Sequence, residues 1–430
     1  MAGPAHYSIE RHSTAGRRGG YCGDGPHGLP GADCRCALGA SIFSLVFWTF
    51  GFLRMGTSGS VAQAFGAKDD TAIGLTLLRS LLIAMCLGIV IICLQKPLLQ
   101  LSLWIVDGSE KIEQLTREYY QIRIWSAPAT LANYVLTGVL IGVQRMRAVL
   151  AFQLVLNCTN VVLDLLFVPV LQWGITGVAV ASLISEYAAL GFALFLIRQS
   201  IAHAINGISA DALFDPAPVR SLMKLNGNIF IRTLLLVSCF FYFNASSAQF
   251  NSTVFAANVI LMQLLHICAH ALDGFAHAAE TLSGQAWGGN NKRHFHRIVK
   301  VSSIQAIITA VVLSAIIFSA GPFILHLFTN QTEVLNQANA LLPWMLVLPF
   351  LSVWCYQLDG IFIGTTHSNE MRNAMILSAA VFFLLTSVLI PGLGNTGLWL
   401  AFSLFMIARA VSLLLYYPRI TAKIDQVHAH

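Results

Sequence analysis

The sequence predicts an all-α polytopic membrane protein made of two pseudo-symmetric six-helix bundles. Twelve spans are expected of such a design; the first is missing or out of frame here, which leaves about eleven. Three observations predict this. The first is composition: of 430 residues, 56% are hydrophobic and only 10% charged, with a mean hydropathy of +0.70. A soluble domain carries about 25% charged residues, so this chain cannot cover a water-facing surface with charge. The second is a series of apolar segments long enough to cross a bilayer, which takes roughly 20 residues each. The third is a set of short motifs that recur about 220 residues apart.

Composition also excludes other classes. A soluble enzyme is ruled out by the charge deficit. A secreted disulfide scaffold is ruled out by length and by nine Cys dispersed mostly through apolar runs. A nucleic-acid binder is ruled out because a net charge of +6 is spread along the chain rather than clustered.

Residues 1–38 are Gly-rich, carry Arg11, Arg17, Arg18 and Arg35, and contain no apolar run. They form an aberrant segment where helix one of a six-helix half is expected. Reading them one nucleotide out of frame permits codons for Asp-Thr-Ala-Val-Met-Gly-His-Met over 20–28, and two readings stand: a frameshift near the 5′ end or a genuine N-terminal tail. The first bundle, 39–198, holds segments near 40–66, 73–94, 114–144, 148–170 and 174–197. A linker follows at 199–227, marked by Asp215-Pro216-Ala217-Pro218. The second bundle, 228–418, holds segments near 228–249, 253–286, 296–318, 335–365, 371–390 and 394–417, and a tail occupies 419–430. Backbone in hydrocarbon must satisfy its own hydrogen bonds, and these runs lack the polar alternation of barrel strands, so they are helices.

The connections alternate in charge. Lys68, Arg145, Arg147, Arg198, Arg220, Lys224, Lys292, Arg293, Arg297, Arg372, Arg419 and Lys423 fall in one set. The other set is nearly free of Lys and Arg. The positive-inside rule places the basic set, and with it the C-terminus, in the cytoplasm of a cell whose inner (plasma) membrane the chain crosses.

The repeat sets the architecture. Gln63-Ala64-Phe65-Gly66-Ala67 recurs as Gln285-Ala286-Trp287-Gly288-Gly289, an offset of 285 − 63 = 222. Gly138-Val139-Leu140-Ile141-Gly142 recurs as Gly360-Ile361-Phe362-Ile363-Gly364, again 222. Gly174-Ile175-Thr176-Gly177 recurs as Gly394-Asn395-Thr396-Gly397 at 220. Such parallel repeats mark secondary transporters, with substrate handled between the halves.

Ionisable groups inside spans are expensive and are functional candidates by default. Gln263, His266, His270, Asp273, His277 and Glu280 are spaced 3, 4, 3, 4 and 3 apart, which puts them on one face of one helix. They read as a proton or cation path beside a central cavity, against the plainer reading of a polar seam satisfied by neighbouring helices. No metal site is expected, because the stripe is long rather than convergent. Asn157, Asn160 and Asp164 share a face in the first bundle. Two carboxamides beside a carboxylate suit a monovalent cation or a protonatable acid, and equally suit inter-helix hydrogen bonding. Glu186 lies in the next helix. Asp359 sits beside Gln357 and Tyr356, and the aromatics Trp354, Tyr356 and Trp344 of the same helix could meet a flat or cationic substrate, against the plainer reading of packing or interface anchors. Arg54 precedes Gly56 and Gly59 and is expected to pair with an intramembrane acid or to line the cavity. There is no Walker loop and no nucleotide fingerprint, so no cofactor is expected beyond a coupling ion, H+ or Na+.

Several segments resemble the multidrug and toxic compound extrusion (MATE) family, in its DinF-like branch. They are Phe52 to Gly59 with Ala62 to Ala67, Ser126-Ala127-Pro128-Ala129, Asn157 to Asp164, Ala271 to Phe275, Ser283 to Ala286, and Leu358 to Gly364. The resemblance runs from about residue 39 to the end. It implies two bundles of six helices around a V-shaped cavity, and efflux of organic cations or other amphipathic compounds in exchange for protons or sodium. It assigns coupling-ion binding to Asp164 with Asn160, and a role to Asp359. The family's helix-one aspartate has no counterpart as written, and 228–249 contains no acid where some sodium-linked relatives carry a glutamate; the second departure points to protons. The expectation is a monomeric antiporter with a small-molecule substrate and the lipid bilayer as its partners, and no nucleic acid. The rivals are a lipid-linked precursor flippase and an inactive remnant lacking helix one.

Overall fold

A computed structural model of the chain describes residues 47–106, 110–205 and 208–427. Residues 1–38, where the sequence predicts an aberrant or frameshifted segment, lie outside them. The described residues form helices α1 (Phe52–Gly66), α2 (Asp70–Cys93), α3 (Gln95–Val106), α4 (Glu110–Arg123), α5 (Ala127–Gly142), α6 (Met146–Leu165) and α7 (Gly174–Ile205). A short α8 (Ala210–Leu213) leads to α9 (Pro216–Ser247), α10 (Ser252–Gly288), α11 (Lys292–Phe328), α12 (Thr332–Gly364) and α13 (Ser368–Val427). There is no strand among the described residues. Helix α13 is two helices joined at a kink at Gly394, whose φ of 55° combined with ψ of −132° is a backbone conformation for glycine.

Most of the stretch 199–227 is helical rather than a bare linker. Helix α7 continues to Ile205, and Pro216 opens α9. The prolines that suggest a break in the sequence instead start a helix. Asp215 accepts a hydrogen bond from Ala217 N at 3.0 Å, and proline is pre-set for the first helical turn, where its missing N–H is no loss.

The internal repeat reaches down to single backbone angles. Lys68 (φ 58°) and Asn290 (φ 49°) are 222 residues apart, as are Gln144 (φ 60°) and Thr366 (φ 57°). Asp69 caps α2 by accepting from Ala72 N; Asn291, 222 residues on, caps α11 by accepting from His294 N. Gly174 and Gly394 share φ 55° at the same corner of each half. Helices α1–α7 form the first lobe and α9–α13 the second.

Within each lobe glycines bring two helices into backbone contact. A Cβ on Gly138 would lie 2.6 Å from the Arg54 carbonyl, and one on Gly360 would strike the carbonyl of Ala276, the equivalent residue. Gly142 abuts the Ser58 carbonyl, and Gly364 abuts that of Glu280. Such small-residue seams suit membrane helices, where lipid supplies no hydrophobic drive for association. The first-lobe core centres on Leu53, Leu77, Leu131 and Leu136. The second centres on Phe243, Phe382, Trp399 and Phe402.

The lobes meet through the repeated motif itself. Gln63 Nε2 donates to Gly364 O (2.9 Å) and Thr366 Oγ1 (3.1 Å). In reverse, Gln285 Nε2 donates to Gly142 O (3.3 Å), and Gln285 Oε1 accepts from Gln144 Nε2 (2.6 Å). Gly66 packs on the Gln285 backbone, and Gly288 on the Gln63 backbone. Each contact has its mirror at the 222-residue offset, which defines an isologous interface about a pseudo-two-fold axis. The turns beside it carry Lys68, Arg145, Arg147, Lys292, Arg293 and Arg372, so this is the basic end of the molecule.

Candidate functional site

Glu280 lies at the junction of the two lobes. It is 1% exposed. Its carboxylate accepts from the Ser58 hydroxyl of α1, lies 3.7 Å from Arg54 Nη1 of the same helix, and lies 3.3 Å from His277 Nδ1 one turn back on α10. A buried carboxylate needs such partners, because an uncompensated charge out of water costs several kcal/mol. Two of the three are on the other lobe. His277 is 39% exposed, so it connects the buried acid to open space. Thr57 Oγ1 and both amide atoms of Asn226 are also buried here without a hydrogen bond.

The rest of the α10 stripe grades from sealed to open. Asp273 and His277 are half-buried, while Gln263, His266 and His270 are exposed. The 3-and-4 spacing therefore does produce one face, open at one end and closed on Glu280 at the other. His270 Nδ1 is 2.6 Å from the His266 carbonyl. Among the described residues Asp273 makes no hydrogen bond or ion pair, so its carboxylate is available to a ligand. None of these groups gathers into a metal cluster among the described residues.

In the first lobe Asn157, Asn160 and Asp164 lie along α6 with unequal exposure. Asn157 is exposed, whereas Asn160 is half-buried and donates to Ser182 on α7 at 3.2 Å. Asp164 is half-buried with Oδ1 enclosed and unbonded. It stands just before a wide turn at Leu166–Val170 that contains Pro169. Glu186 is tied into the lobe: it accepts from Arg123 Nη2 at 3.0 Å and from Asn133 Nδ2 at 2.9 Å.

In the second lobe Asp359 is clamped between two guanidinium groups. It accepts from Arg232 of α9 and from Arg409 Nη2 of α13 at 2.8 Å, with all three residues under 10% exposed. Gln357 is buried and donates to Ser302 on α11 inside the lobe. Tyr356 packs on the small cluster around Leu272 and Val353. Trp354 is 43% exposed, and two residues of helix turn it away from the face of Tyr356. Arg54 pairs with an acid, as expected of it. The sequence reading missed Ser58, Asn133 and Arg409. Arg409 carried a usable signal, since it is a cation inside an apolar span.

Helical lobes of this kind, related by an axis and joined at one end over a buried acid, make the chain a membrane transporter rather than an enzyme. Nine helices among the described residues are long and apolar enough to span a membrane. The MatE family model matches residues 36–166 and 229–391, and the chain belongs to that family. It is 41% identical over 385 residues to the DNA damage-inducible protein F of Escherichia coli (strain K12), which covers 89% of this chain and 83% of that one. It is 23% identical to the multidrug and toxin extrusion protein 1 of Homo sapiens over 86% of this chain and 66% of that one. The fold matches a structure described as the outward-facing conformation of a multidrug resistance MATE family transporter, with a TM-score of 0.83, 18% identity, and coverage of 93% and 90%.

Proposed function

We propose that this transporter is an antiporter that exports organic cations or other amphipathic compounds by alternating access, driven by protons rather than sodium. It works as a monomer in the inner (plasma) membrane, with the basic end and the C-terminus in the cytoplasm. The observation that carries this reading is Glu280, whose bonds to Ser58 and Arg54 cross from one lobe to the other. Opening the basic end breaks those bonds. A proton passed through His277 neutralises the carboxylate, removes its attraction for Arg54, and makes parting cheaper. Thr57 and Asn226 gain water when the junction opens, which lowers the cost further. Asp273, unpartnered beside exposed His270, is the group for a cationic substrate or a second proton. Asp164 with Asn160 is the first-lobe counterpart. The three arginines Arg54, Arg123 and Arg232 are each matched to an acid, so they form no basic groove of the kind a flippase for lipid-linked anions needs.

The test is cationic-dye movement in membrane vesicles under an imposed pH gradient. The wild type moves dye, an uncoupler stops it, and a sodium gradient alone does not drive it. Glu280→Gln, Asp273→Asn and Asp164→Asn reach the membrane but move dye at least about tenfold more slowly. Parental rates in all three variants refute the coupling assignment. A flippase or an inactive chain moves no dye in any condition.

A further inference from the structure

The basic end contains a cavity that the transport cycle above does not use. It has a volume of about 420 Å3 and is walled by α1, α2, α9 and the turn into α13. Its lining includes two cations, Arg79 and Lys224, and no acidic residue. Arg79 is 9% exposed, yet among the described residues its hydrogen bonds go only to neutral carbonyls of the α8 turn, Nε to Leu213 O at 3.0 Å and Nη2 to Ala212 O. No carboxylate lies within ion-pair distance of it among the described residues, and Nη1 makes no bond. A buried guanidinium without a counter-charge is costly, and its unused donor belongs to a residue that lines the cavity. Lys224 on α9 is exposed and makes no bond among the described residues. Opposite, Ser368 and Asn369 open α13, and both are oriented by Asn228 Nδ2, at 3.0 and 2.9 Å. The helix start adds partial positive charge, although Ser368 N already donates to Thr366 O at 2.9 Å and the first turn also carries Glu370.

We propose that this cavity binds a phosphate-bearing anion, either a phospholipid headgroup or a free phosphate compound, and that the anion holds the lobes closed. A fixed guanidinium, an ammonium, hydroxyls and a helix N-terminus around one polar cavity are the donor set for phosphate oxygens. The volume fits a headgroup or a diphosphate. The ligand touches α1 and α2 of one lobe and α9 and α13 of the other, so it binds fully only when the lobes meet. By linkage it stabilises that state over one parted at the basic end. In the proposed orientation the cavity lies at the level of the anionic cytoplasmic leaflet.

The experiment uses the purified full chain in two arms and reads thermal stability. One arm titrates pyrophosphate in detergent against chloride at equal ionic strength. The other compares nanodiscs of phosphatidylglycerol with nanodiscs of phosphatidylcholine. The wild type shows saturable stabilisation in at least one arm: by pyrophosphate for a free phosphate ligand, by phosphatidylglycerol for a headgroup. Arg79→Gln weakens it by at least about tenfold. Because that change also removes the α8 contact, Lys224→Glu, an exposed residue with no bond to lose, is the second variant and abolishes the effect. Absence of stabilisation in both arms, or equal stabilisation in Lys224→Glu, overturns the proposal.

Discussion

The two kinds of glycine contact make opposite predictions for the same chemical change. A Cβ on Gly288 would lie 2.6 Å from the Gln63 carbonyl carbon and 2.7 Å from its Cα, both on the opposite lobe. Real Cβ atoms do not approach backbone that closely, so Gly288→Ala pushes the lobes apart without touching the interior of either. Overpacking of this kind costs about 1–3 kcal/mol. The cost falls only on the closed state, so the ratio of closed to open molecules drops by about 5- to 150-fold. The assay is a distance distribution between spin labels at Asp70 and Arg293, both exposed on the turns of the basic end, in a cysteine-free background. Gly288→Ala should move the population towards the longer distance at nearly unchanged melting temperature. Gly360→Ala is the control. Its Cβ would strike Ala276, which belongs to the same lobe, so it should lower the melting temperature and leave the distances alone. A distance distribution for Gly288→Ala identical to the parent's would show that the Gln63–Gly288 contact does not hold the lobes together.

Two further substitutions test how the second lobe is held. Asp359→Asn leaves Arg232 and Arg409 buried without a carboxylate, and removing one partner of a buried ion pair costs about 3–5 kcal/mol; a thermal scan in detergent should show a drop of several degrees, and an unchanged scan would refute the structural role of the clamp. Asn258→Ala removes the amide that joins Ser247 (2.7 Å), Asn395 (2.7 Å) and Trp399 Nε1 (2.9 Å), leaving a fully buried indole N–H unpaired at about 1–3 kcal/mol; the indicator is lower melting with altered Trp fluorescence.

The fold was legible because its signals are local or periodic. Hydropathy marks spans whatever they pack against, and the 222-residue offset in Gln63-Ala64-Phe65-Gly66 survives as matching turn angles at Lys68 and Asn290. The α10 stripe was legible for the same reason, since a helix fixes which residues share a face. Partners were not legible. Nothing in the sequence around Ser58 announces Glu280, and the clamp on Asp359 draws on helices 127 and 50 residues away. Asn157, Asn160 and Asp164 show the limit of periodicity: the spacing fixes a shared face but not its depth, and Asn157 is exposed whereas Asn160 and Asp164 are half-buried. The prolines of 215–218 were misleading because proline both ends helices and begins them.

Ser58 and Glu280 are one position in two copies, since 280 − 58 = 222, and they touch. Their contact therefore sits on the pseudo-two-fold axis itself. In an assembly of two identical chains every residue on the axis faces itself, so an acid there meets a second acid and a hydroxyl meets a hydroxyl. Neither arrangement gives a single carboxylate held by a hydroxyl donor. Joining both halves in one polypeptide removes that restriction, because the two copies of the position are free to differ. The junction can then be symmetric in shape, with every glutamine and glycine contact matched, while carrying one charge rather than none or two. The single-proton switch proposed for this junction requires that inequality.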